Sequence, residues 1–217
     1  MANITAAMVQ ELRQMTGAGM VECKKALTEC DGEMEKAKDL LRKKGLATAS
    51  KKSGRIAAEG QVHAYIHGGG RIGVLLEVNI ETDFAARTED FKDLVHQIAL
   101  HIAAFSPQYV TREEVPPQVL DREREIYNEQ LRNEGKPEKV IEKIVEGKVN
   151  KFYSEVCLMD QPFAFDTKIT ITDMVNNVVA KIGEKISVRR FVRWELGEGL
   201  EKRVYDLAKE VAAEMDK

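Results

Sequence analysis

Nothing narrows the fold of this chain more than a change of hydrophobic period near residue 60. Before it, apolar residues recur at helical spacing; after it, they alternate. Residues 4–44 read as three short helices. Thr5 is a candidate N-cap, followed by Met8, Leu12 and Met15. Thr16-Gly17-Ala18-Gly19 breaks that helix, and the next carries Met20, Cys23, Leu27 and Cys30 on one stripe. Asp31-Gly32 is a turn signal. The third helix carries Met34, Ala37 and Leu41, with Lys43 and Lys44 in a last turn that suits the helix dipole. Such stripes can be buried only against each other, which predicts a small bundle over 1–45. Residues 46–60, rich in Gly, Ala, Ser and Lys, read as an exposed linker.

Beyond the linker, Val62, Ala64 and Ile66 alternate with His63, Tyr65 and His67. Gly68-Gly69-Gly70 then supplies a turn, and Ile72, Val74, Leu76 and Val78 alternate again, a β-hairpin signal. Thr88 can cap a helix whose stripe is Phe91, Leu94, Val95, Ile98, Ile102 and Phe105, closing a core segment over 61–115. Residues 116–158 read as a helical hairpin turning at Gly135-Lys136-Pro137. Its narrow apolar stripes and heavy charge suit an antiparallel coiled-coil arm. The rest of the core, over 159–199, has an extended piece at Gln161-Pro162-Phe163, a helix capped by Thr172 or Asp173, and a strand from Ser187 to Leu196. A last helix over 200–217 places Val204, Leu207, Val211 and Met215 on one side. The expected class is α+β: an N-terminal three-helix bundle, then a small antiparallel sheet with helices and a coiled-coil arm.

Composition excludes more than it suggests. A net charge of −3 over 217 residues disfavours a nucleic-acid binder driven by a basic field, and no direct nucleic-acid partner is expected. Three cysteines (Cys23, Cys30, Cys157) without a CxxC pair argue against a disulfide framework or a four-ligand zinc site. The N-terminus has no signal-peptide pattern and no stretch is apolar enough to span a membrane, so a cytoplasmic protein is expected. His63 and His67 lie too far apart along a strand to share a metal easily, and His96 and His101 fall on different helix faces. GxSxG, HExxH and GxxxxGK[ST] are absent. No catalytic residue, cofactor or metal is predicted, and the chain does not read as an enzyme.

Two segments carry a specific resemblance. One is Leu12-Arg13-Gln14-Met15-Thr16-Gly17-Ala18-Gly19-Met20-Val21-Glu22-Cys23-Lys24-Lys25-Ala26-Leu27. The other is Glu77-Val78-Asn79-Ile80-Glu81-Thr82-Asp83-Phe84-Ala85-Ala86-Arg87. Both closely resemble the signature regions of the elongation factor Ts family. Gly135-Lys136-Pro137, Glu146-Gly147-Lys148, Gln161-Pro162-Phe163 and Phe191–Lys202 extend the likeness over essentially the whole chain. The resemblance implies a guanine nucleotide exchange factor whose partner is elongation factor Tu with GDP and its magnesium. Thr82, Asp83, Phe84 and Ala85 would enter near the magnesium and nucleotide site. Arg13, Met20 and Val21, in a ubiquitin-associated-like bundle, would dock on the nucleotide-binding domain. Burial of Met20 on the bundle's own stripe competes with that role, and a core position for Phe84 competes with the wedge. The C-terminal helix would be a further contact.

The chain is too short for the duplicated core of the family's long form. A three-stranded sheet with an exposed edge is a liability, so two copies are expected to pair through their cores, giving a two-plus-two complex. Two other functions compete: a nascent-chain or ubiquitin-like-fold binding module resting on residues 1–55, and a metal-dependent hydrolase using Asp83, Glu81 and His67.

Overall fold

The computed structural model of the chain describes residues 4–201. The expected helix with Val204, Leu207, Val211 and Met215 lies outside the described residues.

Three helices open the fold: α1 (Ala6–Thr16), α2 (Met20–Glu29) and α3 (Met34–Lys52). Thr5 caps α1 by accepting the Met8 N–H, and Gly17, at φ 68°, ends it. Val9, Leu12, Cys23, Ala26, Leu27 and Ala37 form the bundle's own core. Met15 and Met20, placed on apolar stripes by spacing, are instead exposed. The buried positions, Val9 and Leu12 in α1 and Cys23, Ala26 and Leu27 in α2, lie away from the Gly17–Gly19 break, whereas Met15 and Met20 flank it in the terminal turns and stay at the rim.

The largest departure from expectation is α3, which continues to Lys52 through residues read as linker. Gly45 is buried there, where a Cβ would sit 3.5 Å from that of Ala180. Ala49 packs on the main core. Small residues that look like linker composition allow the close approach of two helices. The second of these is α8 (Ile171–Ile182). Arg42 to Asp173 at 2.9 Å, and Lys52 to the Gly183 carbonyl, tie the ends of the contact.

The main sheet has order β1 (Glu59–His67), β2 (Ile72–Ile80), β5 (Ile186–Glu195), all antiparallel. After β2 come the four-residue α4 (Asp83–Ala86) and then α5 (Glu89–Phe105), capped by Thr88. One face of the sheet packs on α5 and α8 through Val74, Leu76, Val78, Ile80, Phe91, Ile98 and Val175. Direct cross-strand partners share a face. His63 opposite Leu76 and Tyr65 opposite Val74 therefore point inward. Val62, Ala64 and Ile66 consequently point outward, joined there by Leu75, Val192 and Trp194. The more apolar set of β1 faces away from the helices, and Val62, Ile66 and Trp194 are each more than 60 % exposed.

The arm consists of α6 (Pro117–Asn133) and α7 (Glu138–Val156), turning at Gly135 with φ 71°. Leu131, Ile141, Val145 and Val149 give it a separate small core. At its base His101 is fully buried, sharing a 2.8 Å hydrogen bond from Nε2 with Gln161 Oε1 and accepting the Ala164 N–H. A short pair, β3 (Pro162–Phe163) and β4 (Asp166–Thr170), leads into α8. The cap of α8 is Thr170, with Asp173 completing a capping box, rather than Thr172 or Asp173 as expected.

Candidate functional site

β2 ends in the core at the fully buried Ile80, and within three residues the chain starts α4. The Thr82 hydroxyl accepts the Ala85 N–H at 3.2 Å, as a helix start requires. Helical residues follow each other at about 100°, so a turn anchored by one side chain throws its neighbour outward. Ala85 is the anchor, 3 % exposed; Phe84, beside it, is 80 % exposed. The core reading of Phe84 is thereby overturned. Asp83 pairs with Arg87 at 2.9 Å, and both side chains are exposed. Such a pair is worth about 0.3–0.5 kcal/mol, so the carboxylate can change partner cheaply.

Distant segments hold this turn from behind. The Thr82 N–H donates to Glu184 Oε2 at 3.0 Å and its hydroxyl donates to Oε1 at 2.9 Å. Glu81 Oε1 accepts the Lys185 N–H at 2.6 Å, and Arg55 donates to the same carboxylate at 3.3 Å. The Lys185 amide first, and Arg55 with it, hold the Glu81 carboxyl below its usual range. Lys185 Nζ also donates to the Arg55 carbonyl at 2.8 Å. Sequence reading missed Arg55, Glu184 and Lys185 as parts of this site. Glu184 and Thr82 are 102 positions apart, and no local period reports pairing at that range. The nearest signal is Gly183, which ends α8 at φ 85° and turns the chain toward Thr82.

On the bundle, Arg13 and Met20 line one groove together with Gln10 and Gln14. Val21, 66 % exposed, lines an adjacent hollow with Lys24, Lys25, Thr28 and Glu29. All three expected docking residues are thus at the surface, and Met20 is not consumed by the bundle core.

The hydrolase set does not assemble: among the described residues no three His, Cys, Asp or Glu side chains come together. Glu81 is engaged as above, and His67 Nδ1 lies 2.8 Å from the Tyr65 hydroxyl. His63 Nε2 and His96 Nδ1 meet at 3.4 Å between β1 and α5. Burial, and the His96 ring next, push the His63 imidazole down.

Residues 6–198 match the family described as Elongation factor TS. The chain belongs to the elongation factor Ts family. Relatives of that name match over almost their whole length. The one from Desulforamulus reducens is 60 % identical over 215 residues, covering 99 % of each chain. That from Heliobacterium modesticaldum is 60 % identical over 214 residues. That from Moorella thermoacetica is 63 % identical over 197 residues, 91 % of this chain and 97 % of its own. An elongation factor Ts is a nucleotide exchange factor for elongation factor Tu in translation elongation, and this chain is an exchange factor of that kind rather than an enzyme.

Proposed function

We propose that the Thr82–Ala85 turn opens the nucleotide site of elongation factor Tu, while the bundle surface at Arg13, Met20 and Val21 docks the factor. The observation that carries this reading is Phe84: a large apolar ring held almost wholly in water on a turn fixed at both ends. GDP is gripped by a phosphate-binding loop and by Mg²⁺ bridging phosphate oxygens. An exchange factor must loosen that grip without breaking a covalent bond. Phe84 acts as an apolar wedge between GTPase elements. Asp83 brings a carboxylate toward the water shell of the magnesium and disturbs it. Thr82 sets the start of the turn and Ala85 anchors it.

The thermodynamics is linkage. Factor and GDP each weaken the other's binding by the same free energy. A coupling of about 3 kcal/mol makes GDP binding roughly 150-fold weaker. The factor acts in the cytoplasm, and release of a fluorescent GDP from purified elongation factor Tu, titrated with Arg13→Ala or Val21→Ala, tests the docking half. Weaker half-saturation with an intact maximal rate is expected; unchanged half-saturation removes those residues from the docking surface.

We propose further that two copies pair through the outer face of the β1-β2-β5 sheet. Ala64, Ile66, Leu75, Val192 and Trp194 make an apolar patch there, bordered by Val62 and the Glu77–Arg190 ion pair, and largely uncovered among the described residues. A two-fold axis places the same patch on both partners. Sheets stacked face to face at about 10 Å bury such residues on both sides.

A further inference from the structure

We propose that Glu184 is a positioning residue for nucleotide exchange, holding the wedge turn in its working geometry through Thr82; this rests on the reading of Phe84 as the wedge. A four-residue helix cannot hold itself in place: it has a single turn and little cooperativity. Phe84 has almost no packing of its own, being 80 % exposed. Its direction is therefore set by its neighbours: Thr82 at the start of the turn, the buried Ala85, and behind them Ala86 against the core and the Thr88 hydroxyl on the Ala85 carbonyl at 2.7 Å. Ala85 fixes depth by burial. Thr82 fixes orientation, and both of its donors, N–H and hydroxyl, end on the two oxygens of one carboxylate at 3.0 and 2.9 Å. The same hydroxyl accepts the Ala85 N–H. The carboxylate thus polarises the cap bond as well as locating it.

Glu184 is itself fixed. Gly183 before it ends α8, with its carbonyl bonded by Lys52. Lys185 after it is bonded through its N–H to Glu81 and through Nζ to the Arg55 carbonyl. The carboxylate is therefore presented from a short segment tied down on both sides. A wedge acts only where its geometry is preorganised, since freedom of the ring before contact must be removed during the exchange step. Loss of Glu184 should then slow the displacement step and leave docking, which rests on the bundle, unchanged.

The test is stopped-flow release of fluorescent GDP from elongation factor Tu, titrated with the parent, Glu184→Ala, Glu184→Gln, Phe84→Ala, and Glu184→Ala combined with Phe84→Ala. Melting temperatures of all five are recorded. Expected for Glu184→Ala is a maximal rate lower by about fivefold or more, the scale of one or two charge-assisted hydrogen bonds, with unchanged half-saturation. Glu184→Gln keeps one acceptor and should fall between. In the Phe84→Ala background the Glu184 substitution should cost nothing further. A right-shifted titration that reaches the parent's maximal rate would mean only a smaller folded fraction and would overturn the proposal. An equal loss with and without Phe84 would overturn it too. A Phe84→Ala variant at the parent's maximal rate would instead remove the wedge itself, and the role of Glu184 with it. Amide exchange supplies a readout independent of activity: the Ala85 and Ala86 amides should exchange faster in Glu184→Ala, and unchanged protection there would contradict the clamp.

Discussion

Phe84 and Phe91 are the same side chain seven positions apart, and the fold treats them oppositely. Phe91 is fully buried at the start of α5, whereas Phe84 stands in solvent. Phe84→Ala should therefore leave unfolding free energy within about 0.5 kcal/mol of the parent, while Phe91→Ala should cost about 3–5 kcal/mol; urea unfolding of both variants checks this. His101 gives a pH prediction. Its imidazole is fully buried among Gln161, Phe105 and Phe163. Burial pushes it below the ordinary value of 6.5, and the Gln161 bond opposes this only in part. The unfolded chain therefore binds a proton that the folded chain resists. This contribution to stability is complete above about pH 6.5 and declines as pH falls through that value. Melting temperature should drop between pH 7.5 and 5.5, and drop less in His101→Gln; equal drops would contradict the assignment. Individual residues were the least legible part of the sequence. Spacing put Met20 on a buried stripe, but a stripe reports direction, not whether a neighbour reaches it. In a one-turn helix there is no period to read at all, so only the fold, with Ala85 turned into the core, reveals the exposure of Phe84.

Elements were read well where a period ran for several turns and poorly where small residues interrupted it. α5 and the arm follow their apolar patterns closely, and the β1–β2 hairpin lies where alternation put it, although the more apolar set of β1 faces outward. The C-terminal half of α3 did not announce itself, because Gly45 and Ala49 look like linker composition, yet Gly45 lies against Ala180 of α8 and Ala49 packs on the main core. Gly45→Leu should force α3 away from Ala180, at a cost of about 1–3 kcal/mol typical of overpacking. Chemical denaturation would detect it, and a neutral result would mean that the α3–α8 contact is loose. The arm, with a core of its own, should respond locally. Leu131→Ala removes a side chain that is 2 % exposed. About 2–5 kcal/mol of local stability should disappear, with faster amide exchange across α6 and α7 and none in β2. Faster exchange in the sheet as well would show that arm and core unfold as one unit.

The whole molecule places its two expected contact surfaces, the Arg13–Met20 groove and the Phe84 turn, on units joined by α3. It also leaves an apolar sheet face outward. Alternation showed that β1 had two faces, but only the register with β2 revealed that its more apolar one is outside. If that face joins two copies, Leu75→Glu in its middle should convert a dimer into a monomer in sedimentation at micromolar concentration. A parent that sediments as a monomer, free and with its partner, would remove the pairing. The exchange mechanism is tested by one experiment above the others: release of fluorescent GDP from elongation factor Tu, at saturating concentrations of the parent and of Phe84→Ala. The expected result is acceleration by the parent and a maximal rate lowered at least tenfold, by order of magnitude about 1.4 kcal/mol of lost wedge action, in a variant that remains folded and still docks. A folded Phe84→Ala protein that releases GDP as fast as the parent would contradict the wedge.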